Sequence, residues 1–202
     1  VMKNTDIFIL SGWGEAGYES KDPYWIKKLN VARERIFPLI RKAHKDSIPL
    51  IGICFGFQVM VDALGGELVV SSEMSEGGIF DISLTPAGRK EKIFSKVGDT
   101  FKAVLGHKTS VNRLPEGSII LAKSIRCPIQ AVKFTQTMYG FTFHPELTHQ
   151  DLIERTNLYE GYASNDEAMK YQETATNSIL INLIEKFSDS SFVSQKTRSF
   201  SS

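Results

Sequence analysis

Two short stretches of the 202-residue chain carry residues that can do chemistry together. In Gly52-Ile53-Cys54-Phe55-Gly56 a cysteine sits between glycines, where the apolar run 49–53 gives way to a helical stretch. A sharp strand-to-helix turn drives the central side chain out above a sheet, and small neighbours relieve the crowding. The amides that open such a helix favour a thiolate and can donate to an oxyanion. About ninety residues further on, His144-Pro145-Glu146 follows a second apolar run, 138–143. An imidazole at a strand end can act as a base, and a carboxylate two residues on can accept from its other nitrogen. Of the four histidines (44, 107, 144 and 149), only His144 has both features, with His107 next in line. A nucleophile, a base and an orienting carboxylate are what acyl transfer from an amide requires. Taken singly, the bland alternatives stay open: a buried, inert cysteine and a satisfied surface histidine.

The elements that must position these groups follow from periodicity. Residues 7–10 read as a buried strand running into the tight loop Ser11-Gly12-Trp13-Gly14. Residues 23–44 carry Trp25, Ile26, Leu29, Ala32, Ile36, Leu39 and Ile40 near helical spacing, with Pro38 expected to kink or divide the helix. Residues 49–53 form the next strand, and 58–64 a helix closed by Gly65-Gly66. Strand, helix, strand, helix in that order predicts an α/β protein with a parallel sheet. The middle differs, with successive short strands at 78–84, 100–105, 119–124, 129–134 and 138–143. Ser164-Asn165-Asp166-Glu167 matches a capping box, and Ala168, Ala175, Ile179, Leu183 and Phe187 continue a long helix behind it. The domain is expected to span 1–187, followed by a disordered Ser- and Lys-rich tail at 188–202.

Composition narrows the class. With 42% apolar and 23% charged residues the chain is an ordinary globular protein. A net charge of +1 gives no basic footprint for nucleic acid or an anionic membrane. Two cysteines make no disulfide framework, and no apolar run approaches the ~20 residues of a spanning helix. A cytoplasmic location is expected. Cys127, before Pro128 in an expected strand, reads as structural.

Gly52-Ile53-Cys54-Phe55-Gly56-Phe57-Gln58 resembles the G-x-C-x-G-x-Q nucleophile motif of class I glutamine amidotransferases. Phe141-Thr142-Phe143-His144-Pro145-Glu146 resembles their closing F-H-P-E motif, in the family's order. Ser11-Gly12-Trp13-Gly14 is similar to the S-G-G-P loop, and Ser75-Glu76-Gly77-Gly78 to the E-x-G stretch. His107-Lys108-Thr109-Ser110-Val111 with Leu114-Pro115 looks like the H-x-D-x-V…L-P segment of guanylate-synthase type members.

The resemblance implies a flavodoxin-like, doubly wound, mostly parallel sheet with extra antiparallel strands. It implies a triad of Cys54, His144 and Glu146, and an oxyanion hole from the backbone of Phe55 and of Gly12 and Trp13. Gln58 would contact the substrate amino acid, helped by Gly106, His107, Lys108 and Thr109, chiefly through backbone groups. No cofactor and no metal are called for. Trp13 replaces the family's second glycine and would line or lid the pocket. Thr109 stands where aspartate is common, which bears on the acceptor served.

Class I domains open with a strand, a helix and a second strand before the S-G-G-P loop, whereas here that loop comes almost at once. An N-terminally incomplete chain is the expected explanation, with a central slot beside residues 7–10 left open. Another segment or a partner chain filling the slot is the alternative. The expected function is hydrolysis of the glutamine side-chain amide to glutamate and ammonia, the ammonia passing to a synthetase partner chain. A stand-alone hydrolase of γ-glutamyl peptides or conjugates is the alternative. A silent binding protein on the same fold is a third reading, opposed by the presence of all three triad residues.

Overall fold

The structure, a computed structural model, describes residues 7–12, 17–158 and 174–188. The chain enters as a short strand, β1 (Phe8–Leu10), and passes through helix α1 (Pro23–Lys45) to β2 (Leu50–Ile53). Helix α1 begins where its sequence directs. Asp22 accepts from the Tyr24 amide at 2.8 Å, and Pro23, with no N–H to lose, occupies the first turn. Lys42, His44 and Lys45 stand at the negative pole of the helix. Of the two outcomes expected at Pro38, a kink or a division, division does not occur; one helix runs through. The missing hydrogen bond is tolerated because the following turns bury Ile40 and Ala43 against the core. Ile26 and Leu39, placed on the apolar face by their spacing, are exposed instead. Only the C-terminal half of the helix packs deeply.

From β2 the chain turns at Cys54 into α2 (Phe55–Ala63), and Gly65, at φ 86°, follows its end. There follow β3 (Glu67–Val70), β4 (Glu76–Leu84), two single-turn 3-10 helices (Gly88–Lys90 and Lys92–Phe94), β5 (Thr100–His107) and β6 (Thr109–Arg113). The described chain continues with β7 (Ile119–Lys123), β8 (Ala131–Thr135), β9 (Met138–Phe141), α3 (His149–Leu158) and α4 (Thr174–Ser188).

The main sheet has the order β1-β2-β9-β8-β7-β4-β5. β1, β2 and β9 are parallel. β8, β7, β4 and β5 extend them by antiparallel pairing. The described sheet is continuous, and β1 lies at its edge, so the slot expected beside residues 7–10 is outside that edge and not a gap within the sheet. β3 and β6 form a separate antiparallel pair that periodicity did not suggest. Its origin is a corner at Lys108, where the chain leaves β5 in one sheet and enters β6 in the other.

Alternation along β2 and β9 builds a core on each face. Ile51, Ile53, Tyr139 and Phe141 point to the side covered by Ile179, Leu183 and Phe187 of α4. Leu50 and Met138 point to the side covered by Phe57 and Met60 of α2 and Ile40 of α1. Helices on both faces of a partly parallel sheet make the doubly wound arrangement. Cys127 is buried as expected, but in the loop between β7 and β8 and not in a strand. The capping box at 164–167, Ala168 and the tail beyond 188 lie outside the described residues. No helix among the described residues is long and apolar enough to cross a membrane.

Candidate active site

Cys54 adopts φ 51° and ψ −109°, a conformation that costs a residue with a Cβ on the order of 1–3 kcal/mol. Its surroundings hold it there. The Cys54 amide donates to the Phe141 carbonyl at 2.7 Å, and its own carbonyl accepts from the Gln58 amide at 3.0 Å, closing the first turn of α2. The flanking glycines are required by contact. A methyl group on Gly56 would lie 1.9 Å from the Leu10 carbonyl oxygen, and one on Gly52 2.9 Å from the Phe57 backbone nitrogen. The elbow expected from the sequence is formed, with the thiol beside the start of a helix.

His144 follows β9 by three residues, and its amide donates to the Val104 carbonyl of β5 at 2.9 Å. Its Nδ1 lies 2.7 Å from Glu146 Oε1. Gly12 closes the third side. A methyl group there would stand 3.3 Å from His144 Cε1 and 3.9 Å from Cys54 Cβ, so ring, sulfur-bearing carbon and loop converge on one spot. Burial alone would lower the pKa of His144. Hydrogen bonding and charge from Cys54 and Glu146 outweigh that and raise it to about 9. In this arrangement the Cys54 thiol faces the Gly106 carbonyl at 3.9 Å. A ring that holds its proton, beside a sulfur at a helix start, can supply both a nucleophile and an acid for a leaving amine.

The residues expected at the substrate divide. Gly106 and Lys108 are exposed at the corner between β5 and β6, while Gln58, His107 and Thr109 are buried. Gln58 Nε2 donates to the Thr109 carbonyl at 2.9 Å. The His107 side chain is committed away from the sulfur, with Nε2 3.2 Å from Glu76 Oε2, so what it can offer a ligand is backbone. The Thr109 hydroxyl donates to Glu19 Oε2 at 2.9 Å, a contact with no sequence signal. Phe55 begins α2 beside Cys54, and Gly12 is in place; Trp13 lies outside the described residues. An apolar hollow of about 390 Å³ lies between β1, α1 and α2, lined by Ile9, Ile36 and Val59 among others. It touches the site at Gly12 and Phe55 but holds neither Cys54 nor His144, so it adjoins the chemistry without containing it. Among the described residues no three of His, Cys, Asp and Glu converge to hold a metal ion.

Comparison with known proteins gives the family of the chain. The family model described as glutamine amidotransferase class-I matches residues 2–156. A glutamine-hydrolysing GMP synthase subunit of Methanosphaera stadtmanae is 37% identical over 103 residues, 50% of this chain and 53% of that one. A glutamine-hydrolysing GMP synthase of Borreliella burgdorferi is 33% identical over 152 residues, 74% of this chain and 26% of that one. The chain thus spans about half the length of the first of these relatives and about a quarter of the second. The crystal structure of a glutamine amidotransferase from Thermotoga maritima superposes with a TM-score of 0.67 at 20% identity, covering 90% of this chain and 78% of that one, and so shares its fold. With the family model spanning the Gly12 loop, the Cys54 elbow and the His144–Glu146 pair alike, the chain belongs to the class I glutamine amidotransferases.

Proposed function

We propose that this chain hydrolyses the side-chain amide of glutamine, with Cys54 as nucleophile, His144 as base and acid, and Glu146 as the group that orients His144. The observation that carries the reading is the strained Cys54 elbow facing a buried His144 whose Nδ1 is 2.7 Å from a carboxylate. The Cys54 sulfur attacks the amide carbon, and the oxygen takes the negative charge beside the Phe55 and Gly12 backbone. His144 passes its proton to the leaving nitrogen as the C–N bond breaks, releasing ammonia and a glutamyl thioester. Water then attacks the thioester with His144 taking its proton. Glutamate leaves and the sulfur is restored.

The ammonia, in this reading, goes to a synthetase chain of the GMP-synthase kind. Support comes from the Methanosphaera relative, whose name makes it one glutamine-hydrolysing subunit of a GMP synthase. The test is glutamate release from glutamine by the purified chain, alone and with the synthetase chain plus its activated substrate. Coupling between two such sites is commonly worth ~1–3 kcal/mol, so stimulation of roughly 5- to 150-fold is expected. Full-speed cleavage of a γ-glutamyl peptide by the chain alone would replace this reading with a stand-alone hydrolase.

A further inference from the structure

Glu76 opens β4 with 1% of its surface exposed, and both carboxylate oxygens are engaged. Oε1 accepts from Ser124 Oγ at 2.7 Å. Oε2 accepts from Gln130 Nε2 at 2.5 Å and lies 3.2 Å from His107 Nε2. The His107 ring carries the connection onward, with Nδ1 3.3 Å from the Thr109 carbonyl and 3.4 Å from Ser110 Oγ. A protonated ring donates at both ends. A neutral ring with its hydrogen on Nε2 keeps the Glu76 bond and accepts from Ser110. The same Thr109 carbonyl accepts from Gln58, one helical turn beyond Cys54, and the Gly106 carbonyl faces the Cys54 sulfur. A continuous line therefore runs from a buried carboxylate, through an imidazole, to the backbone beside the nucleophile.

Burying a carboxylate and an imidazole is costly unless every bond is made, and apolar residues could fill the space as well. Anchoring β4 to β5 does not require them, since those strands pair in continuous register from Glu76–His107 to Ser83–Thr100. What lacks a main-sheet partner is the corner at Lys108. Its other ties run to the stretch leading into Glu76: Ser75 Oγ donates to the His107 carbonyl at 3.0 Å, and the Ser71 amide to the Lys108 carbonyl at 3.4 Å. We propose that Glu76 is a positioning residue that, acting through His107, fixes segment 106–109 where its backbone meets a glutamine held at Cys54. It sets substrate affinity without touching substrate. This rests on the proposed function for the identity of the substrate, though not for the mechanical link.

The test compares wild type with Glu76→Gln, which keeps the shape and turns one acceptor into a donor, and with His107→Asn. Three measurements are made: KM and kcat for glutamine, the alkylation rate of Cys54 by iodoacetamide, and amide hydrogen exchange by peptide. Expected are a rise in KM of about tenfold with kcat little changed, an unchanged alkylation rate, and faster exchange confined to 106–110. The double variant should cost no more than the worse single one, because both break one line. An unchanged KM, or exchange that spreads along β4 and β5 with a lowered Tm, would overturn the proposal in favour of plain structural support. Should Glu76→Gln not fold, Ser124→Ala removes one tie to the same carboxylate. It should then raise KM with kcat held, and failure to do so counts equally against the proposal. If wild type releases no glutamate even with the synthetase chain and its activated substrate supplied, the functional reading fails, while the exchange pattern still decides whether Glu76 positions the corner.

Discussion

His144 Nδ1 lies 2.7 Å from Glu146 Oε1, although Pro145 alone separates them in sequence. With its φ fixed, that proline turns the chain so that a carboxylate meets the imidazole from within the same loop. The roles differ, and so should the losses. Cys54→Ala and His144→Ala are expected to lower glutamate release by at least about 10³-fold. Glu146→Gln should retain measurable turnover, because it still occupies the space beside Nδ1 and only the charge is lost. Steady-state kinetics on the three variants checks this. Near-normal turnover in His144→Ala would send the search for a base elsewhere. His107, its ring held by Glu76, is poorly placed to replace it.

The same pair makes stability depend on pH. The pKa of His144 rises from 6.5 to about 9 on folding: burial opposes the shift, and Cys54 and Glu146 more than offset it. A group whose pKa is raised in the folded state contributes its full stabilisation below the unfolded value. Here that contribution is present below about 6.5 and is lost as pH climbs through about 9. Denaturant unfolding at several pH values across this window should show wild type losing stability with rising pH. The slope should be shallower in Glu146→Gln. Parallel slopes would mean that Glu146 does not hold the proton on the ring.

Much of the site was legible because its signals are local. Gly52, Cys54 and Gly56 are neighbours in sequence, and what forces them to be small lies in the adjacent backbone of Leu10 and Phe57. His144 and Glu146 are also a local pair. The Glu76 network was not legible, since it joins residues 76, 107, 124 and 130, which meet only through the register of β4 against β5 and the approach of β7 and β8. Neither was the β3–β6 pair, whose strands are separated by β4 and β5 and meet only because a corner at Lys108, which periodicity cannot mark, carries the chain from β5 into β6. On α1 the period was right and the face was not, because tertiary packing decides which turns of an amphipathic helix are covered.

The elbow carries a trade between stability and chemistry that two substitutions separate. Cys54→Ala and Cys54→Gly both remove the sulfur and should both be inactive. At φ 51° and ψ −109°, glycine relieves strain that alanine retains. Strain relief of ~1–3 kcal/mol, less the ~0.4–1 kcal/mol by which glycine favours the unfolded chain, leaves Cys54→Gly more stable by about 1 kcal/mol. Urea midpoints at equal m-value provide the measurement. An alanine variant as stable as the glycine variant would show that the backbone at position 54 relaxes once the thiol is gone.

The two thiols should part company in their reactivity. Cys54 stands beside His144 and the start of α2, facing the exposed Gly106. Cys127 is 1% exposed, and burial, only partly opposed by a hydrogen bond to the Ile129 carbonyl, pushes its thiol pKa up. Thiolate is the reactive form, so burial and a raised pKa leave Cys127 the slower of the two. A glutamine-like chloroketone or diazoketone is therefore expected to label Cys54 far faster than Cys127, and glutamine should protect Cys54 in proportion to its occupancy of the site. Peptide mapping after partial labelling reads both effects in one experiment. Labelling of Cys54 without protection by glutamine would leave a reactive cysteine with the wrong substrate. A label found mainly on Cys127 would remove the elbow from the reaction altogether.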